Sequence, residues 1–219
     1  GKQLTREEIN VVSNWIKNGS SFEKSVNEFK LDESIISYFF SIEKPFYPME
    51  NVSTADIETI KKIRGKNILV NPISKSSNFF SVSTLNYSKF SDTDLSMMSS
   101  IRENIVNLDL SDSKITDSVF FNLKYFNNLT VLKLNNTNIL GQNIDELSQL
   151  KNLKRIYLVN TKFDTQNIEK IIQIKGLEKV YLFQEDRILK APLKLPNDYE
   201  EILDFGNYSL NNSMQNKKS

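Results

Sequence analysis

The sequence predicts an α/β solenoid of about four to five coils, 24–25 residues each, with a parallel β-sheet on the concave face, short helices on the convex face and an N-terminal helical cap. Three observations predict it. A strand pattern recurs as Ile105-x-x-Leu108-x-Leu110, Leu129-x-x-Leu132-x-Leu134, Leu153-x-x-Ile156-x-Leu158 and Leu177-x-x-Val180-x-Leu182, each copy 24 residues after the last. An apolar triplet spaced i, i+3, i+6 follows each of the first three strands: Phe120, Leu123, Phe126; then Ile144, Leu147, Leu150; then Ile168, Ile171, Ile174. Polar residues share columns in the same frame, with Ile115, Ile139 and Phe163 as an apolar column between strand and helix.

An interval of 24 lies inside the ~20–29-residue range of leucine-rich repeats, in which a short strand lines one face and a helix or tighter turn returns along the other. The triplets suit short helices with one apolar stripe. A single coil cannot bury that stripe, so the core of a leucine-rich-repeat solenoid comes from stacking. Asp117, Gly141 and Thr165 stand where an N-cap would serve each helix. Asn104, Asn128, Asn152 and Gly176 precede each strand and are expected in left-handed backbone that ends each helix. Ser113, Thr137 and Thr161 form a hydroxyl column suited to bonding the neighbouring coil; Glu185 breaks it, marking the end of the stack.

Taken in order, residues 1–50 are an N-terminal helical cap or the remnant of another domain. Thr5-x-x-Glu8 is a capping box opening a helix over 4–17 that carries Ile9, Val12, Trp15 and Ile16 on one face and ends at Gly19. A second helix is expected over Asp32–Ile42, stopped by Pro45 and Pro48. The solenoid spans 51–190. Its irregular first coil has a helix from Ser53 or Thr54 to Gly65, with Ile57, Ile60 and Ile63 inward, followed by Ile68 and Val70. A weaker coil 25 residues before the first clear one puts Phe80, Leu85 and Phe90 in buried columns, Ser88 in the hydroxyl column, and Leu95, Met98 and Ile101 on the stripe. Residues 191–210 form a C-terminal cap, in which Asp198–Tyr208 lays a final strand or turn over the open end. Residues 211–219 have nothing to bury and are expected to be disordered.

Composition excludes much chemistry. Hydrophobic residues at 39% and aromatics at 11% suffice for a core, and 28 basic against 27 acidic residues leave a net charge of +1. No basic block supports a nucleic-acid partner, and no apolar run approaches the ~20 residues of a membrane span. The sequence contains no Cys and no His, which rules out disulfides, thiolate nucleophiles, His-based triads, the usual zinc sites and covalent haem attachment within these residues.

The segments LDLSDSKITD and LKLNNTNILG resemble a bacterial leucine-rich-repeat type with coils of the form L-x-L-x-x-T-x-I-T-D. Three further stretches resemble the C-terminal part of a Bacteroidetes and Planctomycetes family in which a haem-binding c-type cytochrome domain precedes such repeats. LTREEINVVSNWIKNG is similar to the last helix of those cytochrome domains, NPISKSSNFFSV to the segment leading into the repeats, and VYLFQ to a terminal L-Y-L-W-Q-T coil, with Phe183 for Trp and Glu185 for Thr. The likeness implies a chain lying downstream of its haem domain, with no haem ligand carried over to any residue here; the residues themselves lead to no expected cofactor or metal. It also implies a periplasmic or cell-envelope location.

Strand residues between the buried positions are expected to face outward on the concave side. That places three columns there: Val82, Asn107, Val131, Arg155, Lys179; Thr84, Asp109, Lys133, Tyr157, Tyr181; and Asn86, Ser111, Asn135, Val159, Phe183. Towards the C-terminus they change from small polar groups to Arg155, Tyr157, Val159, Lys179, Tyr181 and Phe183, a composition typical of interfaces. A protein partner, a carbohydrate stacking on the tyrosines, or the C-terminal tail over 191–208 folding back would each account for that patch. Catalysis has only carboxylates to work with. Asp109 faces Lys133, Glu185 and Asp186 point to opposite faces, and Glu7-Glu8 and Asp145-Glu146 are solvated helix residues. The sequence therefore predicts a non-enzymatic interaction module with no catalytic residues.

Overall fold

The computed structural model describes residues 4–23, 45–49, 52–186, 189 and 201–206. The chain divides into two compact units, Gly1–Pro45 and Phe46–Ser219.

In the first unit the described structure is α1 (Arg6–Lys17). Its capping box forms as the sequence predicts: Glu8 N donates to Thr5 Oγ1 at 3.2 Å, and Thr5 N donates to Glu8 Oε2 at 2.7 Å. Gly19 and Ser20 take positive φ and end the helix. Trp15 Nε1 donates to Ser21 O, and the indole meets Phe22 edge-on. The helix expected over 32–42 lies outside the described residues, as does the tail over 211–219.

The second unit is an α/β structure around a seven-stranded sheet of β1 (Leu69–Pro72), β2 (Phe80–Ser83), β3 (Ile105–Asp109), β4 (Val131–Lys133), β5 (Arg155–Tyr157), β6 (Lys179–Tyr181) and β7 (Leu203–Asp204), paired in chain order. β1 and β2 are antiparallel; every later pair is parallel. Asn107, Val131, Arg155 and Lys179 are direct neighbours, as are Asp109, Lys133, Tyr157 and Tyr181. The 24-residue interval is thus the spacing between paired strand positions. Leu108, Leu110, Leu132, Leu134, Ile156 and Leu158 are fully buried and form one core with the triplet stripes.

The segments between strands are tighter than α-helices. Asp92–Asn104, Asp117–Val119, Ile144–Gln149 and Thr165–Asn167 wind as 3-10 helices. Only α2 (Ile57–Arg64), α3 (Phe120–Leu123) and α4 (Ile168–Ile171) are α-helical in this unit among the described residues. An i, i+3, i+6 stripe is what three residues per turn brings to one line.

Several residue expectations are corrected. Helix α2 starts after Asp56, whose carboxylate accepts from Thr59 N at 2.8 Å, and Ile57 is 65% exposed while Ile63 is buried. In the weak coil a bulge shifts the register: Phe80 pairs with Ile105 but Ser81 with Asn107. A one-residue shift exchanges the two faces of a strand. Val82 and Thr84 are therefore buried, Leu85 is 48% exposed, and Ser81 and Ser83 hold the outward positions. Helix starts fall one residue before Asp117 and Thr165, at the N-caps Thr116 and Asp164. Gly141 is likewise no cap, the helix there starting after Asn143. Asp117 is buried and accepts from Leu140 N and Gly141 N, 23 and 24 residues further on. Ser113, Thr137 and Thr161 donate to Leu110 O, Leu134 O and Leu158 O, three residues back in their own turn.

The left-handed column is also elsewhere. Asp112, Asn136 and Asn160, just after each strand, have φ of 58°, 56° and 53°, whereas of Asn104, Asn128, Asn152 and Gly176 only Gly176 has positive φ. Asn and Asp tolerate that region because their short polar side chains bond locally. The three earlier asparagines use their amides instead. Asn104 Nδ2 donates to Ser53 O and Asn78 O, Asn128 Nδ2 to Glu103 O, and Asn152 Nδ2 to Asn127 O, each tying one turn to the one before.

Candidate functional site

One sheet face is committed to the core, so the other is where strand side chains can meet a ligand. Its middle row reads Asp109, Lys133, Tyr157, Tyr181, Asp204 across β3 to β7. Lys133 Nζ lies 3.6 Å from Asp109 Oδ2 and 5.7 Å from the centre of the Tyr157 ring. Tyr157 and Tyr181 stack at 4.3 Å with 16° between their planes. Parallel pairing of equivalent positions sets that stack, since in-register neighbours stand side by side. Burial, and then the neighbouring Tyr157, holds the Tyr181 phenol above the ordinary tyrosine range.

The six candidate residues separate into two groups. Tyr157, Tyr181, Val159 and Phe183 gather at the C-terminal end of the face, the first three half-buried and Phe183 42% exposed. Val159 N donates to Asn135 Oδ1, which holds that turn. The described part of the C-terminal segment extends the sheet as β7, with Gly206 against the Phe183 ring. Arg155 and Lys179 are engaged. Lys179 Nζ donates to Glu201 O at 3.0 Å, and the Arg155 guanidinium sits 4.7 Å from the centre of the Phe46 ring.

Phe46 and Tyr47 are the residues that sequence reasoning missed. Lys154 Nζ also lies 5.0 Å from the Phe46 ring, and Asn107 Nδ2 donates to Tyr47 Oη at 2.9 Å. The pair therefore spans the row Asn107, Val131, Arg155, and Val131, expected to face outward, is only 8% exposed. Two adjacent aromatics between Pro45 and Pro48 were the available signal, but without periodicity they read only as a helix stop.

Elsewhere, a polar groove of about 500 Å³ runs beside Asn136, Asn160, Lys162, Glu185 and Asp186. No group of three or more carboxylates able to hold a metal occurs among the described residues. Asp109 sits beside Lys133 rather than another acid. No described helix is long and apolar enough to cross a membrane. No protein-family model and no curated protein matches the chain.

Proposed function

We propose that the chain is a leucine-rich-repeat solenoid serving as a non-catalytic protein-interaction module of an exported bacterial protein. The observation that carries this reading is the stacked Tyr157–Tyr181 pair, half-exposed beside Phe183 on the sheet face that the core does not use. The 24-residue spacing and the in-register parallel strands support the solenoid. Interfaces concentrate their binding energy in Tyr, Trp and Arg anchors. A protein partner fits better than a carbohydrate. The inner ring faces cover each other and the outer face of Tyr157 is approached by Lys133, so edges and hydroxyls are presented rather than a flat platform.

A photo-cross-linking residue at Phe183 tests this, with the same residue at exposed Asn122 in α3 as the control. Discrete polypeptide adducts from Phe183 alone are expected; equal adduct patterns from both positions would contradict it.

The likeness of LTREEINVVSNWIKNG to a cytochrome helix supports a haem-binding c-type cytochrome domain upstream, with the whole protein in the periplasm or cell envelope. With neither Cys nor His, these residues fit no covalently attached haem of that kind, so haem chemistry would belong to the preceding domain. A C-x-x-C-H motif in the gene upstream of Gly1 is expected, and an upstream reading frame without one would overturn this part.

A further inference from the structure

Phe46 and Tyr47 occupy the sheet face as a bound peptide would. The Phe46 ring lies against two cations, Lys154 at 5.0 Å and Arg155 at 4.7 Å, a geometry in which positive charge meets the ring quadrupole. Tyr47 meets Phe46 edge-on at 5.0 Å and accepts from Asn107 through its hydroxyl. Between these contacts lies Val131, an apolar floor closed off from solvent. The fit is incomplete, because Asn107 Oδ1 is enclosed and meets no donor among the described residues.

From this geometry we infer that the row Asn107, Val131, Arg155 is a docking site for an extended peptide with two adjacent aromatic side chains. The chain's own Phe46–Tyr47 segment is its resident, and an incoming segment of the same chemistry must displace it. The inference rests on the outer face being the partner surface, and it gives the partner's chemistry: an aromatic pair, with an N–H or O–H donor placed to reach Asn107 Oδ1. The resident is covalently attached, so it competes at an effective concentration near the millimolar range set by a short connection. An incoming segment therefore has to outcompete that local concentration to take the row. A ligand spanning this row would also reach the Tyr157–Tyr181 pair, because Arg155 and Tyr157 are two residues apart on one strand and face the same way.

The test is a titration of the full chain with the capped peptide Pro-Phe-Tyr-Pro-Met, the sequence of residues 45–49, followed by the NMR side-chain signals of Asn107 and Arg155. In Phe46→Ala/Tyr47→Ala the peptide is expected to shift both signals at a midpoint at least about tenfold lower than in the unaltered chain, whose own segment competes. Adding Arg155→Gln to that variant should raise the midpoint, read there from the Asn107 signal, several-fold. Equal midpoints in the variant and the unaltered chain, no shift in the variant, or indifference to Arg155→Gln would each overturn the inference. If the double variant does not fold, Phe46→Leu keeps the apolar contact and removes the ring, and its midpoint should still fall below that of the unaltered chain; an unchanged one counts against the site. Because the peptide comes from this chain, the titration can fail while cross-linking at Phe183 succeeds, and the converse, so the two readings are separable.

Discussion

Gly141 carries a tight local constraint. Its φ is +89°, and a Cβ there would stand 2.4 Å from Phe163 Cε2, whereas at Gly176, with φ of +87°, the nearest atom would be Lys151 O at 3.7 Å. Both sites resist a side chain through backbone strain, but only Gly141 adds a clash with a buried ring. Gly176→Ala should destabilise by about 1 kcal/mol and Gly141→Ala by about 2–4 kcal/mol, since overpacking adds to the strain. Denaturant melts of the two variants check the ranking. Tyr181 gives a second residue-level prediction. Its raised pKa means the folded state favours the neutral phenol, so the stability linked to it is fully present below the ordinary value of about 10 and is lost as pH rises through the raised one. Tyr181→Phe should therefore flatten the alkaline fall in melting temperature, and an unchanged alkaline slope would contradict the assignment. At this scale the sequence showed that columns exist better than what each does. Asn128 and Asn136 each recur 24 residues on, as Asn152 and Asn160; one donates through its amide and the other bends the backbone, and only the path of the chain distinguishes them.

Among the elements, strands β3 to β6 were legible because alternate burial on a 24-residue period leaves one register. The antiparallel β1–β2 pair and the bulge beside Phe80 were not, since an added residue changes which side chains face inward without changing composition. The asparagine amides tie successive turns together, and this makes a graded prediction. Asn128 is buried, so Asn128→Ala leaves Glu103 O without that donor and should cost about 1–3 kcal/mol. Asn152→Ala should cost less, because Asn152 is partly exposed and water can replace its amide. Chemical denaturation of both variants reads the difference, and equal losses would count against the amide's role. The segment Phe46–Tyr47 lay beyond sequence reading for a related reason. A row of outward residues gives no sign that a distant part of the chain lies across it.

For the whole molecule, the sheet ends in β7, where Leu203 is buried and Val180 N donates to Ile202 O at 2.8 Å. Removing the chain from residue 201 onward should lower stability by about 2–3 kcal/mol or more, as expected for losing one buried leucine and its ladder bonds. The same strand sets Asp204 beside Tyr181 in the row that carries the tyrosine stack. The measurement that bears most directly on this account is calorimetric binding of the polypeptide recovered at Phe183 to the unaltered chain and to Tyr157→Ala/Tyr181→Ala, with thermal melts of both. Binding is expected to weaken by about 2 kcal/mol or more while stability falls by only about 1 kcal/mol, the scale of one lost ring stack. Unchanged binding together with a large loss of stability would contradict it and make the tyrosines a structural clasp.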